Sequence, residues 1–116
     1  MMAAKRIPAL FFANELGSEP VRDWLKNLDK PDRLRIGEDI RTVEFGWPIG
    51  MPVCRPLGKG LYEVRTTLPN RIARVLFGIV DGEMILLHGF IKKSQTASKA
   101  DLELARSRLE IYRRRQ

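Results

Sequence analysis

Apolar and polar residues alternate along the chain with two periods, and the switch between them outlines the elements. Residues 7–12, Ile-Pro-Ala-Leu-Phe-Phe, form a short apolar run of the kind a buried strand carries. Val21, Trp24, Leu25 and Leu28 recur at i, i+3, i+4 and i+7, which predicts an amphipathic helix. Ser18 is its expected N-cap, with Glu19 and Pro20 in the first turn. Pro31 opens a second helix that carries Ile36, Ile40 and Val43 on one side and ends near Gly46. Gly37 inside it costs about 1 kcal/mol relative to alanine. Residues 47–60 are dense in Pro and Gly and read as a loop. Three strands are expected next, over residues 61–66, 72–80 and 83–91. Ser98 then opens a helix with Leu102, Ala105, Leu109 and Tyr112 on one face. The order β-α-α-β-β-β-α is an α+β fold, a small, mainly antiparallel sheet packed by helices in a single domain over residues 1–116.

The turns predict which side chains share a face. Asp81-Gly82 is a two-residue hairpin signal, so Val80 opposes Glu83 and paired residue numbers sum to 163. His88 then opposes Val75 on the core side, while Gly89 joins Arg74 and Leu76 on the other face. A four-residue loop, 67–70, sets Glu63 opposite Arg74 and Arg65 opposite Ile72. Glu63, Arg65 and Arg74 therefore converge on one face, and Tyr62, Val64, Ala73, Val75 and Phe77 line the main core face. Charges in the middle of a sheet are costly unless solvated, paired or used. Two readings stay open: a salt-bridged ladder, or a basic groove with space left by Gly78 and Gly89.

Charge sharpens the second reading. The 116 residues carry a formal net charge of +7. Residues 1–58 hold nine Lys and Arg against eight Asp and Glu, a net +1, and residues 59–116 hold twelve against six, a net +6. Such asymmetry points to an anionic partner, with a plain solubility surface as the alternative. No apolar run approaches the ~18–20 residues of a spanning helix, so no membrane role is expected. The apolar start lacks a cleavage pattern, which places the protein in the cytoplasm as an expectation. One cysteine, Cys54, and one histidine, His88, exclude an internal disulfide, a multi-cysteine metal site and a His–His pair.

The segment after the last strand adds candidate chemistry. Lys92, Lys93, Ser94, Gln95 and Thr96 set two cations beside three hydrogen-bonding side chains, a plausible phosphate cradle or a solvated strand end. Trp24, Trp47, Tyr62 and Tyr112 read as core, and Arg113-Arg114-Arg115 as a solvated tail able to add non-specific affinity for RNA.

Three stretches taken together carry a family resemblance: Leu61-Tyr62-Glu63-Val64-Arg65, then Arg74-Val75-Leu76-Phe77, then residues 86–96, Leu-Leu-His-Gly-Phe-Ile-Lys-Lys-Ser-Gln-Thr. With Leu102-Glu103-Leu104-Ala105-Arg106-Ser107-Arg108 they resemble the RelE/ParE toxin superfamily, most of all its phage-derived HigB-like branch. The close match spans residues 57–112 and departs at Ala97-Ser98-Lys99, where the branch often has Lys-Thr-Pro. The resemblance implies a RelE-like fold and the toxin of a type II toxin–antitoxin pair, a metal-independent endoribonuclease that cuts mRNA on the ribosome without a cofactor. It implies Arg65, Arg74, Lys92 and Lys93 as catalytic residues and Glu63, Gln95 and Thr96 as RNA-binding ones. It implies a helix-turn-helix antitoxin as partner, through which operator DNA is bound. A ParE-like gyrase inhibitor and a non-catalytic basic binding module are the alternatives. The general base is open between Glu63 and His88, with Glu63 equally able to hold an arginine in place and His88 expected to pack on the core side.

Overall fold

A computed structural model describes residues 4–93 and 96–116. The elements run β1 (Ala9–Phe11), α1 (Pro20–Lys26), α2 (Lys30–Gly46), β2 (Cys54–Gly58), β3 (Leu61–Leu68), β4 (Arg71–Val80), β5 (Glu83–Lys92) and α3 (Lys99–Arg114). They build one five-stranded sheet in the order β1-β5-β4-β3-β2, with β1 parallel to β5 and every other pair antiparallel. This is the expected α+β architecture, compatible with a RelE-like fold. No helix among the described residues is long and apolar enough to cross a membrane.

The sheet separates two cores. Val64, Ala73, Val75, Phe77, Met84 and Leu86 pack against Val21, Ile36, Ile40 and Val43 of α1 and α2. On the opposite face Leu61, Leu76, Ile85 and Leu87 meet Ala105 and Leu109 of α3. Ser98 caps α3 through a reciprocal box in which its hydroxyl accepts from the Asp101 N–H and the Asp101 carboxylate accepts from the Ser98 N–H. At the other end of the sheet the buried Glu44 carboxylate accepts from the Ala9 N–H at 2.7 Å and fixes β1 to the end of α2.

Four local expectations are corrected. Residues 54–58 form an edge strand and not part of a loop, and an edge tolerates Pro56 because its missing N–H can face away from the ladder. The N-cap of α1 is Glu19 and not Ser18. The β3–β4 connection is a two-residue turn, Pro69-Asn70, because Thr67 and Leu68 continue the strand and Asn70 takes φ 58°. Arg65 therefore opposes Arg74, and Glu63 opposes Leu76; the shift of two leaves all three charged residues on the face expected of them.

The fourth correction matters most. The β4–β5 hairpin keeps the expected register from Val80↔Glu83 to Phe77↔Leu86 and then slips by one, pairing Leu76 with His88 and Val75 with Gly89. Leu87 is the extra residue, and its carbonyl accepts from Arg108 Nη1 at 2.7 Å. Beyond this bulge every β5 side chain changes face. His88, Phe90 and Lys92 join Arg74 on the α3 side, and Gly89 turns to α1. Gly89 leaves no groove there: a Cβ on it would lie 2.5 Å from the Trp24 ring. Gly78 is filled likewise by Leu109, 2.6 Å from its would-be Cβ.

Candidate active site

α3 covers only part of its face of the sheet, and the remainder carries charge. Arg55 on β2, Glu63 and Arg65 on β3, Arg74 on β4 and the trio His88, Phe90, Lys92 on β5 all point to it. Glu63 is the hub of the arginine half. Its Oε1 lies 3.3 Å from Arg74 Nε and its Oε2 3.4 Å from Arg55 Nε. Both contacts are ionic without hydrogen-bond alignment, although the carboxylate is wholly buried. Burial pulls the Arg74 guanidinium below its ordinary range, Glu63 works against that shift, and the like charges of Arg65 and Arg55 reinforce it. Arg65, half-buried and directly opposite Arg74, makes no ion pair among the described residues. Two guanidiniums thus share one carboxylate with a third beside them on the same face, a surplus of positive charge suited to a phosphate diester.

The second half is built on Asp101 at the start of α3. Its Oδ1 lies 2.8 Å from His88 Nε2, and its Oδ2 accepts from Lys92 Nζ at 2.8 Å and from the Ser98 N–H at 2.9 Å. Burial alone would raise the Asp101 carboxyl, but hydrogen bonds from Lys92, His88 and Ser98 outweigh it and hold the group well below the usual carboxylate range. Phe90 lies between the two partners, its ring centroid 5.4 Å from the His88 ring and 4.9 Å from Lys92 Nζ.

Of the residues singled out in the sequence, Glu63, Arg65, Arg74 and Lys92 come together on this face. Lys93 is exposed just past the end of β5, and Thr96 is exposed on the way into α3. Gln95 lies outside the described residues. An RNA-contacting role for Glu63 meets a physical obstacle: with 0% of its side chain exposed, its carboxylate serves the two arginines. His88 is corrected from a packed core-side residue to a partly exposed member of the charged face. Sequence reasoning missed Arg55, hidden in the Pro- and Gly-rich stretch, and Asp101, seen only as part of a helix start. The Ser98-x-x-Asp101 spacing was the available signal, since a capping carboxylate has a second oxygen to offer. The lone thiol adds nothing reactive: burial pushes Cys54 up to about 11, so it stays protonated near neutral pH.

A search of curated proteins returns no match for the chain. The family model described as "Phage derived protein Gp49-like (DUF891)" matches residues 23–110, which span every element from α1 into α3 and so the whole charged face. The chain belongs to this Gp49-like family of phage-derived, RelE/HigB-like toxins of toxin–antitoxin systems.

Proposed function

We propose that this protein is the toxin of a type II toxin–antitoxin pair and acts as a ribosome-dependent mRNA endoribonuclease. The observation that carries this reading is the pairing of Arg55 and Arg74 on the single buried carboxylate of Glu63, with Arg65 opposite Arg74 on the same face. When a ribose 2′-hydroxyl attacks the adjacent phosphate, negative charge grows on the phosphoryl oxygens. Preorganised guanidiniums stabilise that charge at no cost in reorganisation. Arg65, half-buried and with no ion pair among the described residues, is available to the scissile phosphate, and Arg74, braced by Glu63, supplies fixed charge beside it. Lys92 and the exposed Lys93 extend the positive rim, and Gln95 and Thr96, which follow in the sequence, are the proposed hydrogen-bonding groups for RNA.

Arg65→Ala is the informative substitution, because it removes a half-buried cation without stranding the buried carboxylate as Arg74→Ala would. Primer extension on an mRNA in a cell-free translation reaction is the test. New 5′ ends of downstream fragments are expected only with translating ribosomes, and Arg65→Ala should reduce them about 10²–10³-fold. Absence of new ends with intact translation would sink the nuclease reading. Inhibition of purified gyrase by the same preparation would establish a ParE-like toxin instead.

The partner in this reading is a helix-turn-helix antitoxin with an acidic segment that neutralises the basic face. The pair represses its own operon through the antitoxin. Failure of the purified pair to shift operator DNA would remove the autoregulatory part.

A further inference from the structure

We propose that His88 is the proton acceptor of RNA cleavage and that Asp101 is its positioning residue. The inference rests on the endoribonuclease reading above and names the base that the arginine cluster lacks. Three observations carry it. The bulge at Leu87 turns His88 onto the same sheet face as Arg74, one pair along the ladder, a diagonal separation of about 7–8 Å. That distance suits two groups acting on neighbouring atoms of one phosphodiester.

The second observation fixes the proton. An ionised carboxylate only accepts hydrogen bonds, so the 2.8 Å contact with Asp101 Oδ1 requires the hydrogen on His88 Nε2. The neutral ring then has Nδ1 as its lone-pair nitrogen, free to take a proton. The side chain is 19% exposed, so the imidazole is not sealed inside the sheet.

Thirdly, the same carboxylate binds Lys92 through its other oxygen, which holds an acceptor and a cation in one fixed relation. The groups facing the imidazole are Asp101 from α3, Lys92 and Phe90 from its own strand, and Arg74 diagonally from β4. The step balances without a co-reactant. The 2′-hydroxyl proton passes to His88 Nδ1, the 2′-oxygen bonds to phosphorus, and the bond from phosphorus to the 5′-oxygen breaks. A proton from the Lys92 ammonium or from water completes the 5′-hydroxyl, leaving a 2′,3′-cyclic phosphate on the upstream fragment.

The test is single-turnover cleavage of an mRNA on programmed ribosomes by the full chain, with ribosome association measured alongside by sedimentation. His88→Ala and His88→Gln should each slow cleavage about 10²–10⁴-fold with association unchanged. His88→Gln guards against a folding artefact, since its amide can still donate to Asp101 while offering no basic nitrogen. Added imidazole should restore His88→Ala in proportion to its free-base concentration and leave His88→Gln slow. Asp101→Asn, which permits either ring tautomer, should lower the rate at least tenfold and displace the acid limb of the pH–rate profile. Retention of more than a tenth of the rate by His88→Gln, or no response of His88→Ala to imidazole, would overturn the assignment while wild-type cleavage upholds the nuclease reading. A wild-type chain that does not cleave overturns both.

Discussion

The two faces of the sheet are packed by different physics. The face under α1 and α2 is apolar through its centre, with Val75, Phe77, Met84 and Leu86 buried against two helices, and carries buried Thr66 and the Arg71–Asp32 ion pair toward the β3–β4 turn. The face under α3 is apolar only where Leu109 and Ala105 reach it, and beyond them Glu63 and Arg74 are buried as ions. Dispersion and water exclusion hold the first face, and each contact there is cheap to satisfy. The second holds ions whose desolvation is offset only while all partners are present. Stability thus resides chiefly on one side of the sheet, and the opposite side is free to carry chemistry at a cost in stability.

Removing the hub should break the comparison most severely. Glu63→Ala leaves Arg55 and Arg74 facing each other without a carboxylate, and urea unfolding should show a loss of about 3–5 kcal/mol. Glu63→Leu combined with Arg74→Met should recover much of that loss while cleavage stays abolished, which would separate the ions' functional role from any structural one. An equal deficit in the double variant would mean that the ions stabilise the fold in their own right.

Steric substitutions probe the same contrast more gently. Gly89→Ala drives a Cβ to 2.5 Å from the rigid Trp24 ring, and Gly78→Ala drives one to 2.6 Å from a terminal methyl of Leu109. Thermal unfolding should register about 1–3 kcal/mol for Gly89→Ala and less for Gly78→Ala, because a leucine end can rotate away and an indole wedged under the sheet cannot. The reverse order would show that the α3 face is the stiffer one.

Acid should act on the charged face through Asp101. The Asp101 carboxyl is depressed in the folded chain, so its contribution is present above the unfolded value of about 4 and is lost as pH falls below it toward the folded value. Unfolding free energy measured against pH should decline below about pH 4, and Asp101→Asn should flatten that decline. An unchanged acid limb in the variant would move the effect to other carboxylates.

Much of this division was legible in the sequence. Period-2 alternation in residues 61–66 put Glu63 and Arg65 on one side and Tyr62 and Val64 on the other, and a turn error of two residues left that assignment intact because strand faces repeat every two. The Asp81-Gly82 turn fixed its hairpin correctly near the loop. What failed was anything that depended on a single-residue step. Leu87 looks like any other strand leucine, and nothing local says that it is counted twice against one partner. The cause is tertiary: Arg108, twenty-one positions away, supplies the hydrogen bond that the extra carbonyl needs. Arg55 was hidden for a different reason, since an edge strand tolerates the Pro and Gly that a central strand excludes.

The bulge makes pairing register, as much as residue identity, a determinant of chemistry. Closing it with Leu87 retained, so that Leu87 pairs with Leu76, would change no residue of the strand, yet it would return His88 to the α1 side and send Gly89 to the charged side. The site would keep its composition and lose its imidazole. Among chains of this kind, aligning the motif letters is therefore insufficient. Counting residues from the Asp-Gly turn to the histidine, and finding an arginine on the last helix able to hold the odd one out, tells which copies carry the imidazole on the working face.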